Sequence, residues 1–361
     1  MLQASPAVHA ALPGEPPSVP RIPGLHRPTL HRPVSPHNIA VIVDTTTAMT
    51  AVDSECNTTK LECQFAAIRV LLTKLSPCKD DNSACATDGN AANDRVSLFT
   101  FPNVTIATAA KDHSCGDAWP DIAPYSFPPP HASSYAPPAT PPDTPTYQIV
   151  GFSNDYRKSN TTSDLNPDSD LVKALGGKTD CNPMWAPGGK GTYYAGAIYA
   201  AQAALVAERA ARPDSQNVMI LIGNGYTNAT QTQMQPGATD SGTYPSWVNQ
   251  CGQAITASHD VADAGTMVYA VAYDATAPTC PTESSGPYQH ATTCQVMQAI
   301  ATTPDYFFSN LYLLSPGVPC VSNAHPITGL NQMFEEIAKF IRDLKPAPEE
   351  HRGLFRHSHA Q

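Results

Sequence analysis

The chain has 361 residues, of which 41% are hydrophobic and 14% charged, with a net charge of −10. That length holds one large domain or two small ones, with enough apolar residues to build a core. The negative charge argues against nucleic acid or an anionic lipid surface as the main partner, because phosphate binding needs a basic face.

Residues 1–37 are rich in Pro, His and Arg and carry no periodicity. Proline fixes φ and lacks an N–H, so this stretch is expected to be an extended, poorly ordered tail, its histidines (His9, His26, His31 and His37) solvated. It holds no apolar run long enough for a signal peptide or a membrane helix, so either an export route not visible in this sequence or a true start further upstream is expected. Order is expected from Asn38. Ile39–Val43 reads as a strand buried on both faces and ends in Asp44-Thr45-Thr46-Thr47-Ala48. Thr59 to Glu62 is a capping box, and Leu61, Phe65, Ile68 and Leu72 line one face of the helix that follows, which Ser76-Pro77 stops.

Arg95–Phe101 is a second strand. An irregular insertion is expected over 103–190, with a proline-dense middle from Trp119 to Pro145 and a short strand over Tyr147–Phe152. Regular alternation returns with an Ala-rich helix over about 193–210, presenting Ile198, Ala201 and Leu205. Val218–Ile222 is another buried strand, followed by Gly223-Asn224-Gly225. Ser246 reads as the N-cap of a helix to about Ala264. Thr266–Tyr273 is a strand, Gln295–Ala301 a short helix, Tyr306–Phe308 the last strand. Thr328 is expected to cap a final helix that buries Leu330, Phe334, Ile337 and Ile341. The polar tail 345–361 is expected to be disordered. Strands alternating with helices imply an α/β fold, a doubly wound, mostly parallel sheet flanked by helices.

The ten cysteines include no CxxC pair, and most stand in polar, loop-like sequence. An even number of loop cysteines fits disulfides formed in an oxidising compartment, so a cell-envelope or extracellular location is expected.

In a doubly wound sheet, ligands sit beyond the carboxyl ends of the strands where the strand order reverses. Asp44–Ala48, Thr192 and Asn224 all fall at such ends. Asp44, Thr46 and Thr192 have two readings: oxygen ligands for a hard divalent ion, or side chains that satisfy backbone donors in strand-end turns.

With these segments in view, the chain resembles the von Willebrand factor A family. The resemblance implies a metal-ion-dependent adhesion site built from Asp-x-Ser-x-Ser, a mid-chain Thr and an Asp-Gly. Asp44, Thr46 and Thr192 match. Ala48 replaces the second hydroxyl and Asn224 the third-loop Asp, so one oxygen and one charge are missing and Mg²⁺ is expected to bind weakly or not at all. Within that family, Asn38–Thr46, Cys56–Cys63, Gly151–Arg157 and Ala186–Gly196 are similar to the TadG-like proteins of bacterial Flp (tight-adherence) pilus assembly. That resemblance spans about 38–344 and implies a non-enzymatic protein. Its partner would be a pilus or envelope component, bound at the top face of the sheet around Asp44, Thr46, Thr192 and Asn224. An alternative is a metal-dependent adhesin that grips an acidic group through Mg²⁺. A third is a hydrolase with its site in the insertion, using His113 or His131.

Other motifs are weaker. Asp164-x-Asn166-x-Asp168-x-Asp170 alternates like a calcium loop but lacks the Gly and Glu that such a loop needs, and it reads as a turn-rich loop. Gly188–Thr192 lacks the spacing of a phosphate loop. Four Asn-x-Thr sequons begin at Asn57, Asn103, Asn160 and Asn228.

Overall fold

In the computed structural model, the described residues are 35–79, 93–101, 115, 127, 148–184, 191–235, 237–311 and 320–344. The chain divides at Pro33/Val34, and all of these residues belong to the second unit. The expected tail up to residue 34, the proline-dense middle of the insertion (apart from Phe127) and the tail from 345 lie outside them.

Strand β1 (His37–Asp44) is buried along its whole length and leads to a short hairpin, β2 (Val52–Asp53) with β3 (Thr58–Thr59), and then to helix α1 (Lys60–Lys74). Next come β4 (Asp94–Phe101), β5 (Gln148–Ser153), α2 (Asp170–Ala174), α3 (Tyr194–Ala211) and β6 (Gln216–Gly223). The chain continues through α4 (Gln250–Asp263), β7 (Thr266–Ala272), α5 (Thr293–Ile300), β8 (Phe307–Ser309) and α6 (Leu330–Asp343). Six strands form one sheet in the order β5-β4-β1-β6-β7-β8. Every pairing is parallel except β4 with β5, where the edge strand runs antiparallel. The mostly parallel, helix-flanked sheet agrees with the expected fold class.

The side-chain period of two explains why β1 is apolar throughout. Ile39, Val41 and Val43 enter one core, shared with Phe65, Ile68 and Leu72 of α1 and with Phe334, Ile337 and Ile341 of α6. Ala40 and Ile42 enter the other, shared with Ile198, Ala201 and Leu205 of α3 and with Ala254 and Val261 of α4. Helices therefore cover both faces, and the strand ends are left to form the edges. At the amino edge, His37 Nδ1 meets Asp94 Oδ1 at 2.8 Å, and the Arg212 guanidinium donates to Asn38 Oδ1 (2.7 Å) and the Asn93 carbonyl (2.9 Å).

Several boundaries differ from expectation for identifiable reasons. His37 is not part of a solvated tail. It is buried as the first residue of β1, held by Asp94. Ser246 caps no helix: its hydroxyl accepts from Gly242 N and Val248 N in a local turn, and α4 begins after Asn249, which adopts the left-handed conformation. Gly329, not Thr328, precedes α6. Helix α5 starts two residues early because Thr292 and Gln295 form a capping box. Within the insertion the expected short strand is β5, which pairs with β4, while α2, not expected, buries Leu171 and Val172 in the core.

Four disulfides join described cysteines: Cys56–Cys63, Cys115–Cys181, Cys251–Cys280 and Cys294–Cys320. Bridges of this number fit an extracellular or surface protein, as expected. No helix among the described residues is long and apolar enough to cross a membrane.

Candidate functional site

The strand order reverses about β1, which has β4 on one side and β6 on the other. The carboxyl ends of β1 and β6 flank this switch point, where an open α/β sheet offers a crevice. Asp44 is the last residue of β1, Thr46 lies two residues beyond it, and Asn224 directly follows β6. Thr192 stands two residues before α3, a helix that packs across β1 and β6.

Asp44 is 1% exposed. Its Oδ1 accepts from the Thr46 amide (2.8 Å) and the Thr46 hydroxyl (2.7 Å), the turn chemistry expected after a strand. Its Oδ2 is buried and has no hydrogen-bond partner among the described residues. Loss of water is the largest influence on this carboxyl and pushes its pKa up to about 6, against the two Thr46 hydrogen bonds and the Lys60 charge, which favour ionisation. Gln64, on the buried side of α1, pins the strand end: its Oε1 accepts from Asp44 N at 3.4 Å and its Nε2 donates to Asp44 O at 3.3 Å.

Tyr194, the first residue of α3, holds the turn after β6. Its hydroxyl accepts from Gly225 N (2.9 Å) and donates to Asn224 Oδ1 (3.4 Å), which also accepts from Tyr226 N (2.9 Å). Burial first, and then the Asp44 charge, hold the Tyr194 phenol well above its ordinary pKa, so it stays neutral and able to donate. Removing the hydroxyl in Tyr194→Phe leaves the buried Gly225 N–H unpaired and is expected to cost about 1–2 kcal/mol by urea denaturation. Thr192 is held from its backbone: Asn228 Oδ1 accepts from Gly191 N (2.8 Å) and Thr192 N (3.1 Å), and Thr192 O accepts from Asn228 N (3.2 Å).

The structure thus brings Asp44, Thr46, Thr192 and Asn224 to one edge of the sheet. Tyr194, Gln64 and Asn228 position them, and sequence reasoning missed all three. Tyr194 lies inside the Gly-Thr-Tyr-Tyr run and Gln64 is a polar residue on an apolar helix face, so both left a trace. Asn228 left none beyond its sequon.

Three disulfides brace this edge. Cys56–Cys63 ties the loop after β1 to α1, Cys251–Cys280 ties α4 to the loop after β7, and Cys294–Cys320 ties α5 to the segment after β8. Two groupings there have the proximity of metal sites: Asp53 with Cys56 and Cys63, and Cys251 with Cys280 and Glu283. Their sulfurs are spent in disulfides, and metal ligation needs a thiolate. Cys115 is likewise bridged and offers no thiol to a neighbouring His113. His113 and His131 lie outside the described residues.

The Asp164–Asp170 stretch is a turn-rich loop, as expected. Asn166 Oδ1 accepts from Asp168 N (3.3 Å), Asp168 pairs with Lys178 (3.1 Å), and Asp170 opens α2.

No family model matches the chain, and no curated protein matches it. Among solved structures it is similar to the pilus adhesin SpaC from Lactobacillus rhamnosus GG in its open conformation, with 15% identity, a TM-score of 0.44, and coverage of 86% of this chain and 30% of the adhesin. A second crystal structure of the same adhesin matches with 13% identity, a TM-score of 0.41, and coverage of 86% and 31%. The chain therefore spans about a third of the protein it matches.

Proposed function

We propose that this chain is a von Willebrand factor A-type domain, similar to the TadG-like proteins of Flp pilus assembly, that acts in surface attachment or pilus assembly by binding a protein and not by catalysis. The docking site is the carboxyl edge of the sheet, around Asp44, Thr46, Thr192 and Asn224. The observation that carries the reading is the convergence of these residues at the switch point, with disulfides in the loop after β1 and in the neighbouring connections. A braced rim loses little conformational freedom on binding, which favours recognition.

The test compares the wild-type domain, immobilised, with the variant carrying Asp44→Ala and Thr192→Ala, using envelope extract from the source cell. Proteins retained by the wild type should be lost from the variant while its far-UV spectrum stays unchanged. Equal retention would remove the top-face mechanism.

A second reading, a metal-dependent adhesin that grips an acidic group, is favoured by the unpartnered Asp44 Oδ2. Asp44, Thr46 and Thr192 are the residues that would hold Mg²⁺, whose role would be to offer an open coordination position to the partner's carboxylate. The donor set fits poorly. Ala48 supplies no oxygen, and Asn224 Oδ1 is already engaged by Tyr226 N and Tyr194. Calorimetric titration with Mg²⁺ and Mn²⁺ is expected to give no heat of binding in the micromolar range, and tight binding would favour the second reading.

A further inference from the structure

The connections leaving the carboxyl ends of β1, β6, β7 and β8 are residues 45–59, 224–249, 273–292 and 310–329. They carry Asp53, Glu55, Asp240, Asp274 and Glu283, and not one lysine or arginine. The cation beside them, Lys60 at the start of α1, pairs with Asp274. Two other lysines, Lys111 and Lys190, lie outside the described residues. Glu283 is turned inward, its carboxylate accepting from Gly252 N in the first turn of α4. Asp53 accepts from the Tyr273 hydroxyl and from Glu55 N, while Glu55 and Asp240 are exposed.

Two further observations point to a ligand. The Asp44 Oδ2 is a buried carboxylate oxygen without a partner among the described residues, a costly arrangement unless a donor arrives. The exposed large hydrophobic residues among those described are Val52 and Tyr226, on the loops leaving the adjacent strands β1 and β6. An acidic rim with an aromatic and an aliphatic side chain matches a cationic segment whose stem is apolar.

We propose that the carboxyl edge docks a basic protein segment, whose lysine or arginine side chains pair with Asp53, Glu55 and Asp44 while their stems pack on Val52 and Tyr226. This rests on the docking role proposed above and specifies its partner. It has the opposite sign to metal-bridged binding of an acidic group.

The experiment uses the whole domain in chelator-containing buffer. Two fluorescein-labelled peptides of equal length, differing only in alternate Lys or Glu between glycines, are titrated by anisotropy. The lysine peptide should bind, and its affinity should fall about fivefold or more between about 50 and 250 mM NaCl as exposed charges are screened. Glu55→Lys should weaken it about tenfold. Asp343→Lys, at the far end of α6, should change it by less than about twofold. Stronger binding of the glutamate peptide, equal losses in the two variants, or no binding of the lysine peptide would each overturn the proposal. If the proposal falls while Asp44→Ala with Thr192→Ala still abolishes retention, docking at this edge stands and only the partner's charge is wrong. If the lysine peptide passes while that variant retains every partner, docking at this edge stands and the part given to Asp44 and Thr192 in it falls.

Discussion

Gly225→Ala is expected to destabilise the domain by about 3–4 kcal/mol, the largest effect of any single methyl added at this edge. Gly225 has φ +72°, in the left-handed region where an L side chain costs about 1–2 kcal/mol. The new Cβ would also fall on the Thr293 carbonyl oxygen, well inside van der Waals contact. A backbone carbonyl at the start of α5 cannot swing aside like a flexible side chain, so the loop after β6 must move. That motion pulls the Gly225 N–H from the Tyr194 hydroxyl and disturbs the Asn224 turn. Equilibrium urea unfolding with disulfides intact gives the stability change. A loss below about 1 kcal/mol would mean that the loop is far more pliable than its contacts imply.

Asp44→Asn should gain stability over the wild type as pH rises, by about 3 kcal/mol between pH 3.5 and pH 7.5 in metal-free buffer. The Asp44 carboxyl has a pKa near 6 in the folded chain against 3.8 for the free side chain. Below the lower value both states are protonated and the group contributes nothing. Between the two values the unfolded chain ionises first and binds fewer protons, so wild-type stability falls with rising pH. Above about 6 the penalty is complete and constant. Asparagine does not titrate, so the difference between variant and wild type isolates this one group. The absolute gain at neutral pH is smaller, about 2 kcal/mol, because the amide nitrogen of the introduced asparagine would meet no acceptor where Oδ2 meets no donor. A pH-independent difference would show that the carboxyl is not desolvated. Mg²⁺ that restored wild-type stability at pH 7.5 without affecting Asp44→Asn would favour the metal-bridged reading.

These two effects share a cause. The end of β1 and the turn after β6 are dry and closely packed, and that packing carries a stability cost. Unsatisfied polar atoms and constrained backbone concentrate where a protein binds something. Asp44 needs a donor that the described residues do not offer to its Oδ2, and Tyr194 holds the neighbouring turn in one geometry. The basic partner proposed above takes this deficit as part of the site.

Much of the architecture could be read from one dimension. Strands buried on both faces must be apolar at every position, so Ile39–Val43 and Val218–Ile222 stand out without any structure. Helices with one buried stripe repeat every three or four residues, as Leu61, Phe65, Ile68 and Leu72 do. The alternation of such segments dictates parallel crossovers and therefore puts Asp44, Thr46 and Asn224 at carboxyl ends. What the chain order left undecided depends on pairings between distant residues. The antiparallel placement of β5 against β4 and the Asn228 clasp on Thr192 have no local signature, and the traces left by Gln64 and Tyr194 do not name Asp44 and Gly225 as their partners. The helix starts at Gln250 and Leu330 were shifted for the same reason, since Ser246 and Thr328 are good caps whose hydroxyls were not where the helices began. Local pattern thus determined which segments fold and which edge carries the polar loops. Only three-dimensional packing decided that one oxygen of Asp44 would be buried with no donor among the described residues, because desolvation depends on everything that surrounds an atom and not on its neighbours in sequence.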